Sequence, residues 1–177
     1  EKIALGKAHS IFAGGAESMS NTPYLLPNIR WGIKHGHQLA LDGMTKDGFL
    51  CPLANQLMGE TVENHIVKKY NVTRSQQDTF AYQSQKKALH AWNTGLFADE
   101  VIGVDLKNNL LFSKDEHLRS DSSLEKLALL PPVFNKEKGT ITAGNSCGIT
   151  DGAAFLHVSD TRYSHAQAEL IDFETIA

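Results

Sequence analysis

The chain has 177 residues, 41% of them hydrophobic and 21% charged, with a net charge of −3 and a pI near 6.2. That balance is ordinary for one globular domain and argues against nucleic acid as a partner, because no basic surplus is available to neutralise phosphates. No apolar run approaches the roughly 18 residues needed to cross a membrane, the first residues lack the apolar stretch of a secretion signal, and two distant cysteines, Cys51 and Cys147, make no disulfide framework; the expected setting is the cytoplasm or an organellar matrix, not the exterior, with both thiols reduced.

Glu1 to His9 reads as the tail of an amphipathic helix, with Ile3, Ala4 and Ala8 on one side, which suggests a piece of something longer. His9 to Ala16 is an apolar run entering Gly14-Gly15 and suits a buried strand that ends in a tight turn. From Ser18 to Leu57 the pattern breaks up under Pro23, Pro27, Pro52 and four glycines, yet Tyr24, Leu25, Leu26, Trp31 and Phe49 keep it apolar. Such a segment packs on something, either its own domain or a neighbouring subunit.

Gly59 to Tyr70 carries Val62, Ile66 and Tyr70 at helical spacing, with Asn71 as its stop. A second helix is predicted from Thr73 to Leu96: Thr73 and Gln76 have capping-box spacing, Phe80, Ser84, Ala88 and Trp92 form a stripe, and Gly95 can end it. Val101 to Leu106 and Leu110 to Phe112 read as short strands around the turn pair Asn108-Asn109. Ser122 to Leu130 is a short helix stopped by Pro131-Pro132, and strands are expected at Ala153 to Val158 and Glu169 to Ile176.

Between those last helices and strands lies G-T-I-T-A-G-N-S-C-G-I-T-D-G-A-A, Gly139 to Ala154, with four glycines and almost no charge. Glycine is costly to order, so this density implies positive φ or a close approach of main chain to something bulky. The stretch reads as a loop folded over a ligand and running into a buried strand. No His, Cys, Asp and Glu cluster has metal-ligand spacing: His35 and His37 flank one glycine, and nothing completes a site. Glu17, Glu60 and Glu63 read as helix-start and turn residues. Cys147 lacks a nearby histidine in the sequence and is a poor nucleophile candidate; Cys51, in F-L-C-P, reads as a packed thiol.

The glycine loop resembles that of the thiolases, enzymes that make or split 3-ketoacyl-coenzyme A. Three further stretches agree and fall in family order: A-G-G-A-E-S-M-S-N-T-P from Ala13, M-G-E-T-V-E-N from Met58, and R-S-Q-Q-D-T-F-A from Arg74. The resemblance covers nearly the whole chain. It implies an α/β fold, thiolase-like but incomplete. Residues 1–20 would close the core of a first half, 21–149 would form the coenzyme A-binding loop domain inserted in it, and 150–177 would return to that half and begin the second.

The resemblance also implies roles. Ala143, Gly144, Cys147, Gly148 and Ile149 would line the channel of the pantetheine arm, where small residues let main chain reach the ligand's amides. Met58 would sit beside the acyl group, with Phe49 near it, and Leu57 stands where many members have His. Arg119, in D-E-H-L-R, would lie against the adenine end, unless it is simply a surface arginine paired with Asp115 or Glu116. Phe134 would pack near the same adenine or serve as core. Arg30, Lys34, Lys126, Lys136 and Lys138 are further cations for phosphate.

The family's nucleophilic cysteine, in C-x-S-G, and its N-E-A-F, G-H-P and C-x-G-G-G motifs are not found in these residues. No catalytic residue and no cofactor is therefore assigned; coenzyme A enters as part of the substrate. The expectation is the coenzyme A-binding portion of an acyltransferase of fatty acid metabolism, inactive alone, oligomeric and tetrameric by resemblance, and poorly soluble by itself. A truncated module that binds acyl-coenzyme A or pairs with a full subunit is the alternative.

Overall fold

The structure, a computed structural model, describes residues 1–108, 110–161 and 168–174. The chain divides into two compact units, one made of Glu1–Asn21 with Thr150–Ala177 and the other of Thr22–Ile149.

The first unit is built on one antiparallel pair. β1 (Ser10–Ser18) runs against β8 (Asp151–Ser159), with Ser10 opposite Ser159 and Ser18 opposite Asp151. The pair is tied at one end by Asp151, which accepts from the main-chain N–H and hydroxyl of Ser20, and at the other by His9 Nδ1 against Asp160 Oδ2 at 2.7 Å. Both strands were expected to be buried. They are largely exposed instead, with Phe12, Phe155 and Leu156 open to solvent, because a two-stranded sheet has no second layer to cover either face. Glu1 to Gly6 forms hydrogen-bonded turns rather than a helix. Residues 169–174 form no strand; the remainder of that predicted element lies outside the described residues.

The second unit begins with irregular chain carrying two small ladders, β2 (Tyr24–Leu25) with β3 (Leu41–Asp42), and β4 (Leu50–Cys51) with β5 (Gln56–Leu57). A continuous helical run follows: α1 (Met58–Thr61), a π-turn (Val62–Ile66) and α2 (Val67–Tyr70), closed by Asn71 at φ 52°. The left-handed conformation at Asn71 is one that asparagine tolerates, which is why the helix stops there. Next comes α3 (Arg74–Asn93), opened by a complete capping box: Thr73 Oγ1 accepts from Gln76 N at 3.2 Å, and Gln76 Oε1 accepts from Thr73 N at 2.8 Å. The helix ends before Gly95, which has φ 74°. β6 (Val104–Leu106) and β7 (Leu110–Phe112) form a hairpin with Asn108 at φ 77°; Asn109 lies outside the described residues. α4 (Leu124–Ala128) is shorter than predicted and is capped by Ser123.

The face that α3 turns inward differs from the predicted stripe. Phe80 is 76% exposed, whereas Asp78 is 4% exposed. Arg74, Gln77, Asp78 and Gln85 point inward instead, because what the helix packs against is polar: the Leu127 carbonyl, the Arg119 N–H, the Thr140 hydroxyl and the Asn145 amide, each needing a hydrogen-bond partner. The most enclosed side chains of the unit are accordingly mixed: apolar Leu127 and Ile141 beside polar Glu63, Asp78 and Thr142.

Thr73→Ala removes one half of the capping box. It is expected to lower stability by about 1 kcal/mol, read as a lower urea midpoint with an unchanged slope.

Candidate functional site

The glycine loop is fixed from behind by two carboxylates. Glu63 lies in the π-turn and is 5% exposed. Its Oε1 accepts from Thr140 N at 3.0 Å and Thr140 Oγ1 at 2.9 Å, and its Oε2 from Thr140 N at 2.9 Å and Ile141 N at 2.9 Å. Asp78 Oδ1 accepts from Asn145 Nδ2 at 3.0 Å while Oδ2 takes Arg74 Nε at 2.8 Å. Asn145 then folds the loop on itself: its Oδ1 accepts from Thr142 N at 2.8 Å and its Nδ2 also donates to the Thr140 carbonyl at 2.9 Å. Arg74 reaches past Asp78 to the carbonyls of Leu127 and Leu130, at 2.6 and 3.0 Å, and so ties α3 to the end of α4.

Burial pushes the Glu63 carboxyl up, but the N–H groups of Ile141 and Thr140, the Thr140 hydroxyl and the charge of Lys68 together outweigh it. The group sits below its ordinary value of 4.5.

The outer part of the loop is arranged differently. Ala143, Ser146, Cys147, Gly148 and Ile149 are exposed, and among the described residues their main-chain N–H groups make no hydrogen bond within the protein. The glycines here do not serve positive φ. Gly144 and Gly148 serve close approach, to the protein's own side chains: a Cβ at Gly144 would strike Leu127 and Leu130, and one at Gly148 would strike the His117 imidazole. His117 belongs to the segment holding Arg119. That segment is strapped to α3 by Gln85, whose Oε1 accepts from Arg119 N at 2.9 Å and whose Nε2 donates to the His117 carbonyl at 3.5 Å.

The predicted residues thus fall into two groups. The segment carrying Arg119 meets the glycine loop where His117 lies against Gly148, next to Cys147 in the chain. Arg119 makes no ion pair among the described residues, so pairing with Asp115 or Glu116 is not what holds it. Phe49 precedes and Met58 follows the Leu50–Leu57 pair that ends the β4–β5 ladder. Phe134 packs on Gly59, one residue after Met58. No hydrogen bond joins the two groups among the described residues, and two shallow surface depressions lie away from them. One is on the β1–β8 face around Gly15 and Gly152; the other, of about 250 Å³, is lined by Trp92, Phe97 and Val101.

Glu63, Asp78, Gln85 and His117 were not singled out for the site by the sequence. Glu63, read as a helix-start residue, is corrected to a buried anchor; its partners lie 77 and 78 residues away, beyond any local pattern. Cys147 has no histidine near it in the sequence, but the fold brings His117 against Gly148, the residue after it. Even so, Cys147 is exposed and has no hydrogen-bonded base among the described residues.

Comparison with known proteins first defines the fold. The structure matches that of an acetyl-CoA acetyltransferase from Syntrophomonas wolfei with a TM-score of 0.80 and 42% identity, over 90% of this chain and 40% of that one. It matches human mitochondrial 3-ketoacyl-CoA thiolase, solved in complex with CoA, with a TM-score of 0.80 and 35% identity, again over 90% of this chain and 40% of that one. Residues 1–161 match the family model of the thiolase N-terminal domain, and the chain belongs to the thiolase family. Over its full length it is 40% identical to a probable acetyl-CoA acyltransferase of Staphylococcus aureus, of which it spans 44%.

The lowered Glu63 carboxyl gives a signed pH dependence. A depressed folded value contributes stability that is complete above about 4.5 and is lost as pH falls through the folded value. Glu63→Gln is expected to lower the urea midpoint at pH 7, and the gap to the parent chain should narrow as the pH falls below that range.

Proposed function

We propose that these residues form the coenzyme A-binding surface of a thiolase-type acyltransferase, one that condenses or cleaves acyl-coenzyme A and 3-ketoacyl-coenzyme A. The observation that carries this reading is the division of the glycine loop. Its inner main chain is engaged by Glu63 and Asn145, and its outer amides from Ser146 to Gly148 stand unengaged where His117, two residues before Arg119, lies against Gly148. Pantetheine offers amide carbonyls and N–H groups along a thin chain, which unengaged main chain between small side chains can meet. Arg119 supplies a planar cation suited to a phosphate or an adenine ring. Phe49, Met58 and Phe134 then form the apolar side, toward the acyl group and the adenine. The CoA held by the human mitochondrial 3-ketoacyl-CoA thiolase, at 35% identity to this chain, supports the same ligand here.

Chemistry is assigned elsewhere. Neither Cys51 nor Cys147 has a hydrogen-bonded base among the described residues, so neither is placed to act as an activated thiolate. The 177 residues alone are therefore proposed to bind without turnover. The exposed apolar faces of the β1–β8 pair support the further proposal that the first unit is covered by protein in the working assembly, consistent with a homo-oligomer.

Calorimetric titration of the chain with coenzyme A tests the reading. Saturable binding is expected, weakened about tenfold by Arg119→Ala through loss of a charged contact, with no thiolysis of acetoacetyl-coenzyme A above background. Absence of binding, or unchanged affinity in the Arg119 variant together with thiolysis by the chain, would overturn it.

A further inference from the structure

The two carboxylates behind the loop invite a question that the ligand-facing residues do not answer. Glu63 and Asp78, 5% and 4% exposed, are too enclosed to touch a ligand, and their oxygens are occupied. Yet their partners are the loop's own main chain and the asparagine that folds it. We propose that Glu63 is a positioning residue for the pantetheine arm. It never meets coenzyme A, but it fixes the main chain at Thr140 and Ile141 so that the amides from Ser146 to Gly148 are presented in one arrangement. The inference rests on the coenzyme A reading given above.

Three features support a positioning role over simple packing. First, Glu63 spends itself on two consecutive main-chain N–H groups, which sets the orientation of two peptide planes rather than filling space. Second, the contact spans separate elements: a π-turn on one side and the start of the loop on the other. π-turns recur at functional sites, and Glu63 lies in this one. Third, a parallel strut works farther along. Arg74, Asp78 and Asn145 form a chain of hydrogen bonds that ends on Thr142 N and the Thr140 carbonyl, so the loop is held at two points before its outer part begins. Gly139 is part of the same device. A Cβ there would strike the Asn135 carbonyl and Pro132 and would crowd Glu63 Oε2 at 3.1 Å, so the bare position lets all three close on the start of the loop.

Glu63→Gln keeps the shape of the side chain but removes its charge and sets a donor in place of one accepting oxygen, facing the Thr140 and Ile141 N–H groups, so the charge-assisted bonds to the loop are weakened. A positioning role makes the loss selective by ligand part. Coenzyme A and its adenosine bisphosphate half, which lacks pantetheine, are titrated into the parent chain, into Glu63→Gln and into Lys86→Ala, a control on the exposed side of α3. Glu63→Gln is expected to weaken coenzyme A about tenfold or more, the scale of a hydrogen bond to a charged group, and to leave the bisphosphate unchanged; Lys86→Ala should alter neither. Equal loss for both ligands in Glu63→Gln, or no loss for either, overturns the positioning role while leaving the coenzyme A reading intact. Failure of the parent chain to bind coenzyme A overturns both.

Discussion

Glu63 accepting the N–H groups of Thr140 and Ile141 is the contact on which the second unit depends. A carboxylate taken out of water costs several kcal/mol unless donors replace the lost hydration, so this group is tolerable only where the loop supplies them. The dependence runs both ways. The loop's main chain is equally unable to sit in the interior unpaired, and no strand or helix of its own satisfies it. Glu63 and the loop therefore fix each other, and Asp78 with Asn145 repeats the arrangement one step further on. Leu127 and Ile141 add apolar burial beside this network, but the geometry is specified by directional bonds.

That construction explains how one loop can be both rigid and open. If every polar group were engaged internally, the segment would offer a ligand nothing but surface. If none were, it would carry the entropy of a free loop and bind weakly. Here the cost of ordering is met from Thr140 to Asn145, leaving Ser146 to Ile149 ordered by continuity with their main-chain donors free for a ligand. Small residues at Gly144 and Gly148 let that outer part lie down on Leu127, Leu130 and His117. The glycines in this part thus serve the protein's own packing, and the ligand-facing consequence follows from it.

Much of this was legible in the sequence and the rest was not, for physical reasons. The capping box at Thr73, the stop at Asn71, the hairpin turn at Asn108 and the apolar strands around Gly14 and Ala154 are local features. Each is decided within a few residues, and each was readable. The family was readable too, because its motifs are runs of small residues that few other segments imitate. What escaped was the partnership of Glu63 with residues more than seventy positions away and the inward polar face of α3. Apolar periodicity pointed to Phe80, and the helix instead buried Asp78. Periodicity assumes that a helix packs on apolar surface; α3 packs in part on loop main chain, which rewards side chains that can accept and donate. The exposure of β1 and β8 escaped because an apolar strand predicts a cover without saying where the cover comes from. The approach of His117 to Gly148 depends on Gln85, a contact between loop and helix that no spacing encodes.

Residue-resolved amide hydrogen exchange on the chain, with and without saturating coenzyme A, reads the two parts of the loop separately. Thr140, Ile141 and Thr142 are expected to exchange slowly in both states, and Ser146, Cys147 and Gly148 to exchange quickly alone and slowly with ligand. Rapid exchange at Thr140 and Ile141 in the free chain, or ligand protection confined to the groove around Trp92 and Val101, would contradict that division of the loop.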